Sequence, residues 1–245
     1  MNIKDYQVVV LGIIIALGCV FSTYILANAV VDFQKIQTQT IRVTGSASQQ
    51  VTSDSASWTI NLKTKRATLK DGYLKLGADA KAVNKFLIDN GFKDEDISFG
   101  AINNYENYGR YPNGSMSNDV VGYTVYQSVT VKSDDIEKIT KVSKSVNELI
   151  NKDINLSAEN VRYFVSNLDD IKIKMVGEAT KNAKQRAESM VKGTDGKIGT
   201  MNSAKMGVFQ IVPVNSTDVS DYGINDTSSI EKKVVATVNA TFNVK

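Results

Sequence analysis

The chain closes on Val234-Val235-Ala236-Thr237-Val238-Asn239-Ala240-Thr241-Phe242-Asn243-Val244. Val234, Ala236, Val238, Ala240, Phe242 and Val244 alternate strictly with Val235, Thr237, Asn239, Thr241 and Asn243. A period of two sets these two groups on opposite sides of an extended strand, so one face is buried and the other is wetter. Outward from this strand the chain must supply partners for its edges and a cover for its apolar face.

Toward the amino terminus, a polar loop from Asn215 to Ser229 follows a strand covering about Ile198 to Val212. A helix opens at Asn167 and runs to about Lys192, with Ile171, Met175, Ala179, Ala183, Ala187 and Met190 inward and Gly193 at its end. Its small alanines allow close approach to a sheet or a neighbouring helix. Val161 to Val165 reads as a short strand. A further helix, capped by Ser133 with Asp134, Asp135 and Glu137 in its first turn, turns Ile136, Ile139, Val142, Val146 and Leu149 inward. Two strands, about Ile97 to Tyr108 and Val120 to Lys132, flank the turn signal Pro112-Asn113-Gly114.

From Thr68 to Asn90 the apolar period lengthens, with Leu69, Tyr73, Leu76, Ala80, Val83 and Leu87 along one side of a helix that Gly91 stops. Ile41 to Arg66 reads as strand, turn, strand, with Ala56, Trp58, Ile60 and Leu62 facing the core. The order ββ-α-ββ-α-β-α-β-β predicts an α+β domain: a mixed, largely antiparallel sheet with three helices packed on it.

The amino-terminal stretch is of another kind. Tyr6 to Val31 holds no charged side chain, and the 24 residues from Val8 to Val31 are almost wholly apolar. As a helix they would span about 36 Å, against a hydrocarbon core of about 30 Å. The expected organisation is a short cytoplasmic tail at 1–7, an uncleaved transmembrane anchor at 8–31, a polar linker at 32–40 and an extracytoplasmic domain at 41–245. Ala27-Asn28-Ala29 has the small-x-small form of a cleavage site and is the alternative to a lasting anchor. An export signal followed by one large domain argues that the domain lies outside the cytoplasm.

Composition narrows the chemistry. Of 245 residues 42% are hydrophobic and 22% charged, which is globular rather than disordered composition. The chain has no histidine, which removes Ser-His-Asp and Cys-His catalysis and the commonest zinc ligand sets. Cys19, the single cysteine, lies inside the apolar run, leaving the domain no thiol chemistry. Twenty-nine basic side chains against 26 acidic ones make no nucleic-acid footprint.

Candidate motifs read as structure. Gly193 to Thr200 has the wrong spacing and the wrong helix–strand order for a phosphate loop. Ser143, Ser145 and Ser203 beside Lys144 and Lys205 lack a nucleophile turn. Asp94-Glu95-Asp96, and Asp134, Asp135 and Glu137, lack the alternating ligands of a calcium loop. No catalytic, cofactor or metal residue is assigned, and no cofactor is expected. Tyr105, Tyr108 and Tyr111 with Arg110 cluster around the hairpin tip, in residue types enriched at binding hot spots, and are the candidate subunit or partner contact.

Several stretches together resemble the SIMPL-domain family, long catalogued as a domain of unknown function. They are Ile41-Arg42-Val43-Thr44-Gly45-Ser46-Ala47, the Trp58-Thr59-Ile60 strand, Gly122-Tyr123 leading into Val129-Thr130-Val131, Asp134 and Asp135, Arg186-Ala187-Glu188 with Gly196-Lys197-Ile198-Gly199, and the strand Val238 to Lys245. The resemblance implies an envelope-associated bacterial protein that self-assembles and carries no established catalytic site, with a stress-related role. The expectation is therefore a single-pass, membrane-anchored, non-catalytic protein whose partners are itself, as a homo-oligomeric scaffold or ring, and the lipid bilayer through residues 8–31, with no nucleic acid. The alternatives are a monomeric module for a cell-wall or protein ligand, and a hydrolase whose acid–base pair the sequence does not identify.

Overall fold

The computed structural model describes residues 3–38 and 40–245, with side-chain surroundings at 10–31 and 40–245. Met1 and Asn2 of the expected tail and Gln39 of the expected linker lie outside the described residues. In chain order the elements are α1 (Ile3–Thr38), β1 (Thr40–Thr52), β2 (Ser55–Arg66), α2 (Leu69–Asp89), β3 (Ile97–Phe99), β4 (Asn103–Arg110), β5 (Met116–Ser133), α3 (Ile136–Ser145), β6 (Leu156–Ala158), β7 (Arg162–Phe164), α4 (Leu168–Lys192), β8 (Ile198–Met206), β9 (Gln210–Pro213), β10 (Ile224–Asn225) and β11 (Glu231–Val244). Short 3₁₀ turns cover Asp94–Asp96 and Val146–Lys152.

The expectation of one mixed sheet carrying three helices is overturned. The described residues form four α-helices, counting α1, and two sheets. One sheet has five strands, ordered β1-β11-β9-β10 with β8 also on β11, and is mixed because β10 runs parallel to β9. The other has six antiparallel strands, ordered β3-β5-β2-β6 with β4 on β5 and β7 on β2. β1 and β2, neighbours in sequence, divide between them. Alternation fixes which side of a strand is buried but says nothing about which strand lies beside it. The two-residue link is held from elsewhere: the Ser53 amide donates to the Ile230 carbonyl at 2.9 Å, the Asp54 amide to that of Phe164 at 2.9 Å.

The chain divides into two compact units, one formed by Met1–Ala47, Lys174–Gly207 and Ala236–Lys245, the other by Ser48–Ile173 and Val208–Val235. In the second, α2 and α3 pack on one face of the six-stranded sheet around Trp58, Ile60, Leu62, Leu76, Val83, Val129 and Ile139, each at most 1% exposed. The Trp58 indole donates to the Glu159 carbonyl at 3.1 Å, so this ring buries no unpaired N–H. In the first unit, Ala179, Ala183 and Ala187 of α4 are fully buried, as are Val238 and Ala240 of β11 almost entirely.

Details of several elements depart from the sequence reading. Ile97 to Tyr108 is two strands, and Ile198 to Val212 breaks between β8 and β9: four steps along the chain from Met206 to Gln210 face three along β11 from Val238 to Val235, an extra residue beginning at Gly207. Asp135, not Ser133, caps α3, accepting from the Lys138 amide at 2.9 Å. Met190 is 59% exposed and Val191 takes the inward place, because the chain folds back and sets Gly196 against Val191. Gly91 does take positive φ at 85°, whereas after α4 the left-handed residue is Asp195 at 59° rather than Gly193. α1 continues to Thr38, through most of the stretch read as linker. The loop from Asn215 to Ser229 holds the short strand β10.

Candidate functional site

The six-stranded sheet has two unlike faces because β2, β4 and β5 obey the period of two. Ala56, Trp58, Ile60 and Leu62 face the helices, so Ser57, Thr59, Asn61, Lys63 and Lys65 face the other way. Pairing carries this through the sheet: Lys63 lies opposite Tyr126, Lys65 opposite Thr124, and Thr124 opposite Tyr105. A polar face results, with the backbones of β2 and β5 paired on both sides and its side chains mostly exposed or half-buried.

On this face lies a cleft of about 430 Å³ lined by Asn61, Lys63, Tyr105, Tyr126, Asn155 and Ser157 with neighbouring strand atoms. The Tyr105 and Tyr126 rings have centroids 6.2 Å apart and planes inclined at 54°, and are 46% and 42% exposed. The Lys63 ammonium lies 5.9 Å from the Tyr105 centroid. The neighbouring Lys63 ammonium, with a contribution from Thr124, draws Tyr105 below the ordinary tyrosine pKa. The Asn61 amide donates to Glu159 at 3.1 Å, which orients its carbonyl. Such a cleft can hold a ligand with ring faces and hydroxyl or anionic groups.

The hairpin residues named from sequence do not form one cluster. Tyr105 belongs to the polar face, while Tyr108, an odd number of residues on, points to the opposite side and donates to Glu106 at 2.6 Å. That carboxylate holds the Tyr108 phenol above its ordinary pKa. Arg110 pairs with Met116 beside the turn, where the Tyr111 amide donates to the Ser115 carbonyl at 2.9 Å. Sequence reasoning missed Lys63, Asn61 and Tyr126. The alternation of β2 placed Asn61 and Lys63 on a wet face, but only strand register sets them and Tyr126 beside Tyr105.

The serines considered as nucleophiles are placed plainly. The Ser143 and Ser145 hydroxyls donate to the carbonyls of Thr140 and Val142 on their own helix, at 2.9 and 3.1 Å. Ser203 and Lys205 share a strand face and line a cleft of about 510 Å³ with Arg42, Asn239 and Thr241, but no hydrogen bond joins them. Asp96 and Glu95 both bind Lys93, through its amide and its ammonium, each at 3.1 Å.

The profile of the family described as "SIMPL: Protein of unknown function (DUF541)" matches residues 41–242. This chain belongs to the SIMPL family. No curated protein matches it. Among solved structures, it is similar to an amidase of the hydantoinase/carbamoylase family from Burkholderia multivorans, at 14% identity and a TM-score of 0.24, and to one from Burkholderia vietnamiensis at 13% and 0.25. In each case 49% of this chain is covered and only 29% of the other. At those TM-scores the likeness carries no argument about fold or activity.

Two stretches that carry the SIMPL resemblance meet within one unit. Gly45 of β1 lies against the α4 backbone, where an added Cβ would collide with the Ala179 carbonyl and the Ala183 amide. Around it the Ser46 amide donates to Asn182 at 3.1 Å and Arg186 to the Thr44 carbonyl at 3.0 Å. The Thr-Gly-Ser and Arg-Ala-Glu stretches of this SIMPL chain thus form a strand–helix junction. Beside the domain, Val10–Val31 of α1 is long and apolar enough to cross a membrane, and none of it is buried against the protein. That helix fits a membrane anchor or a signal sequence.

Proposed function

We propose that this SIMPL protein is a single-pass, membrane-anchored, non-catalytic component of the cell envelope, with its domain outside the cytoplasm, that self-assembles as a homo-oligomeric scaffold. The observation that carries the reading is the tip of the β4–β5 hairpin. Tyr108, Tyr111, Met116, Val120 and Val121 there are 43%, 52%, 69%, 42% and 54% exposed, an apolar end with Arg110 beside it. Exposed apolar side chains gathered at one hairpin end suit an interaction site, and anchoring every copy in one bilayer makes each further contact effectively intramolecular. The stress-related role rests on the family resemblance alone.

Light scattering on the full-length protein in detergent tests assembly. A discrete multiple of the single-chain mass is expected, falling to the single-chain mass in a Tyr108→Ser/Tyr111→Ser/Met116→Ser variant that keeps its thermal transition. A single-chain mass for the unaltered protein at all concentrations would overturn the scaffold reading.

A further inference from the structure

We propose that the cleft at Lys63, Tyr105 and Tyr126 is a binding site for an acidic glycan, a sugar chain bearing carboxylates. This goes beyond the assembly reading, which rests on the hairpin tip and does not involve the cleft.

Three observations select this ligand. The first is charge. Register places Lys63, Lys65, Lys132 and Arg162 on the polar face of the six-stranded sheet, with Glu159 as the acidic counterpart. Exposed cations in excess attract an anion, and the Asn61 amide already occupies part of the Glu159 carboxylate. The second is the aromatic pair. Two exposed tyrosine rings inclined at 54° offer separate ring faces to the C–H groups of a sugar, whereas stacking successive bases of a nucleic-acid strand needs ring faces presented in sequence. The third is the supply of hydrogen-bonding groups. The backbones of β2 and β5 at the floor of the cleft are spent within the sheet, so a peptide cannot add as a further strand over them; what they present there is side-chain amide, hydroxyl and ammonium. Those groups suit hydroxyls and carboxylates. The cleft volume of about 430 Å³ falls within the range of small-ligand sites, about 300–1,000 Å³. In the bound state a sugar ring lies on Tyr105 and Tyr126 while its carboxylate meets the Lys63 ammonium.

The test is calorimetric titration of the full-length protein in detergent with an oligogalacturonate hexamer, cellohexaose, hexaglutamate and an oligothymidylate. The expected result is that the uronate binds and the other three bind at least about tenfold more weakly. Tyr105→Ala and Tyr126→Ala should each weaken uronate binding by about tenfold, the loss expected for a ring that anchors a ligand. Lys63→Gln should weaken it and flatten its salt dependence, while Tyr105→Phe, which keeps the ring, should bind within about threefold of the unaltered protein. Thermal melting of each variant guards against unfolding. The proposal is overturned if no uronate binding is found, if cellohexaose, hexaglutamate or oligothymidylate binds as well, or if the alanine variants bind undiminished. None of these outcomes bears on the light-scattering mass.

Discussion

At Gly45 the absence of a side chain is a packing requirement rather than a turn requirement. β1 approaches α4 so closely that even Ala183 Cα would lie 2.7 Å from an added Cβ. Gly45→Ala should therefore destabilise the protein by about 3 kcal/mol, read as a lowered urea midpoint. Gly77, inside α2 with nothing within 4 Å of an added Cβ, supplies the contrast: Gly77→Ala should raise stability by about 0.5–1 kcal/mol through helix propensity. Lys232 is the other telling residue. It is 2% exposed, and its ammonium donates to the carbonyls of Tyr163 and Asp226 at 2.6 and 2.7 Å. Burial pushes its pKa down, with the Asp226 charge opposing. The folded protein thus holds this proton less tightly than the unfolded chain, whose lysine titrates near 10.5, so the Lys232 contribution to stability rises with pH up to that value. Lys232→Met should cost about 3 kcal/mol by leaving two carbonyls unpaired, and should remove that alkaline rise in stability-versus-pH curves. A persistent rise in the variant would assign it to another group.

Among elements, β11 and β8 differ most sharply in what surrounds them. β11 lies between β1 and the β8–β9 run, and its even residues from Val234 to Phe242 are at most 4% exposed. β8 pairs with β11 on one side, and its residues from Thr200 to Met206 are all exposed. Hydrogen exchange should find β11 amides protected by at least about 100-fold more than those of β8 that do not face β11. Equal protection would mean that β8 is covered, by another copy or by the membrane surface. Most of this was legible in the sequence. Strict alternation in β11, the four-residue steps of α4 and the period of α2 each announced an element and its buried side. Where the period held but packing had a choice, sequence reasoning failed: Met190 and Val191 are both placed for an inward role, and the Gly196 fold-back chose Val191. Likewise Leu69 and Tyr73 continue the α2 stripe yet remain 37% and 39% exposed, as the Tyr73 hydroxyl turns out to accept from Asn104 at 3.2 Å.

For the molecule as a whole, α1 sets the environment in which the rest works. Val10–Val31 carries no charge, and its side chains are exposed throughout. In water that surface would be costly, at roughly 25 cal/mol for each Å² of apolar area, whereas a bilayer supplies a solvent that accepts it. The protein should therefore stay with the membrane through alkaline carbonate extraction. Val20→Lys places a charge in the middle of the span at a cost of about 3 kcal/mol and should release a measurable fraction. Quantitative release of the unaltered protein, with a mature amino terminus just after Ala29, would instead identify α1 as a signal sequence.

The apolar run of α1, the exclusion of histidine and thiol chemistry from the domain, and the buried side of each long strand and helix were determined by the sequence alone. They depend on composition and on periods of 2 and 3.6, which are local properties of the chain. The assignment of β1 and β2 to different sheets, the break at Gly207, and the meeting of Tyr105 with Lys63 and Tyr126 were decided only by the tertiary structure. A strand's side chains fix its faces but leave its neighbours open, and neighbours are chosen by packing between residues far apart in the chain.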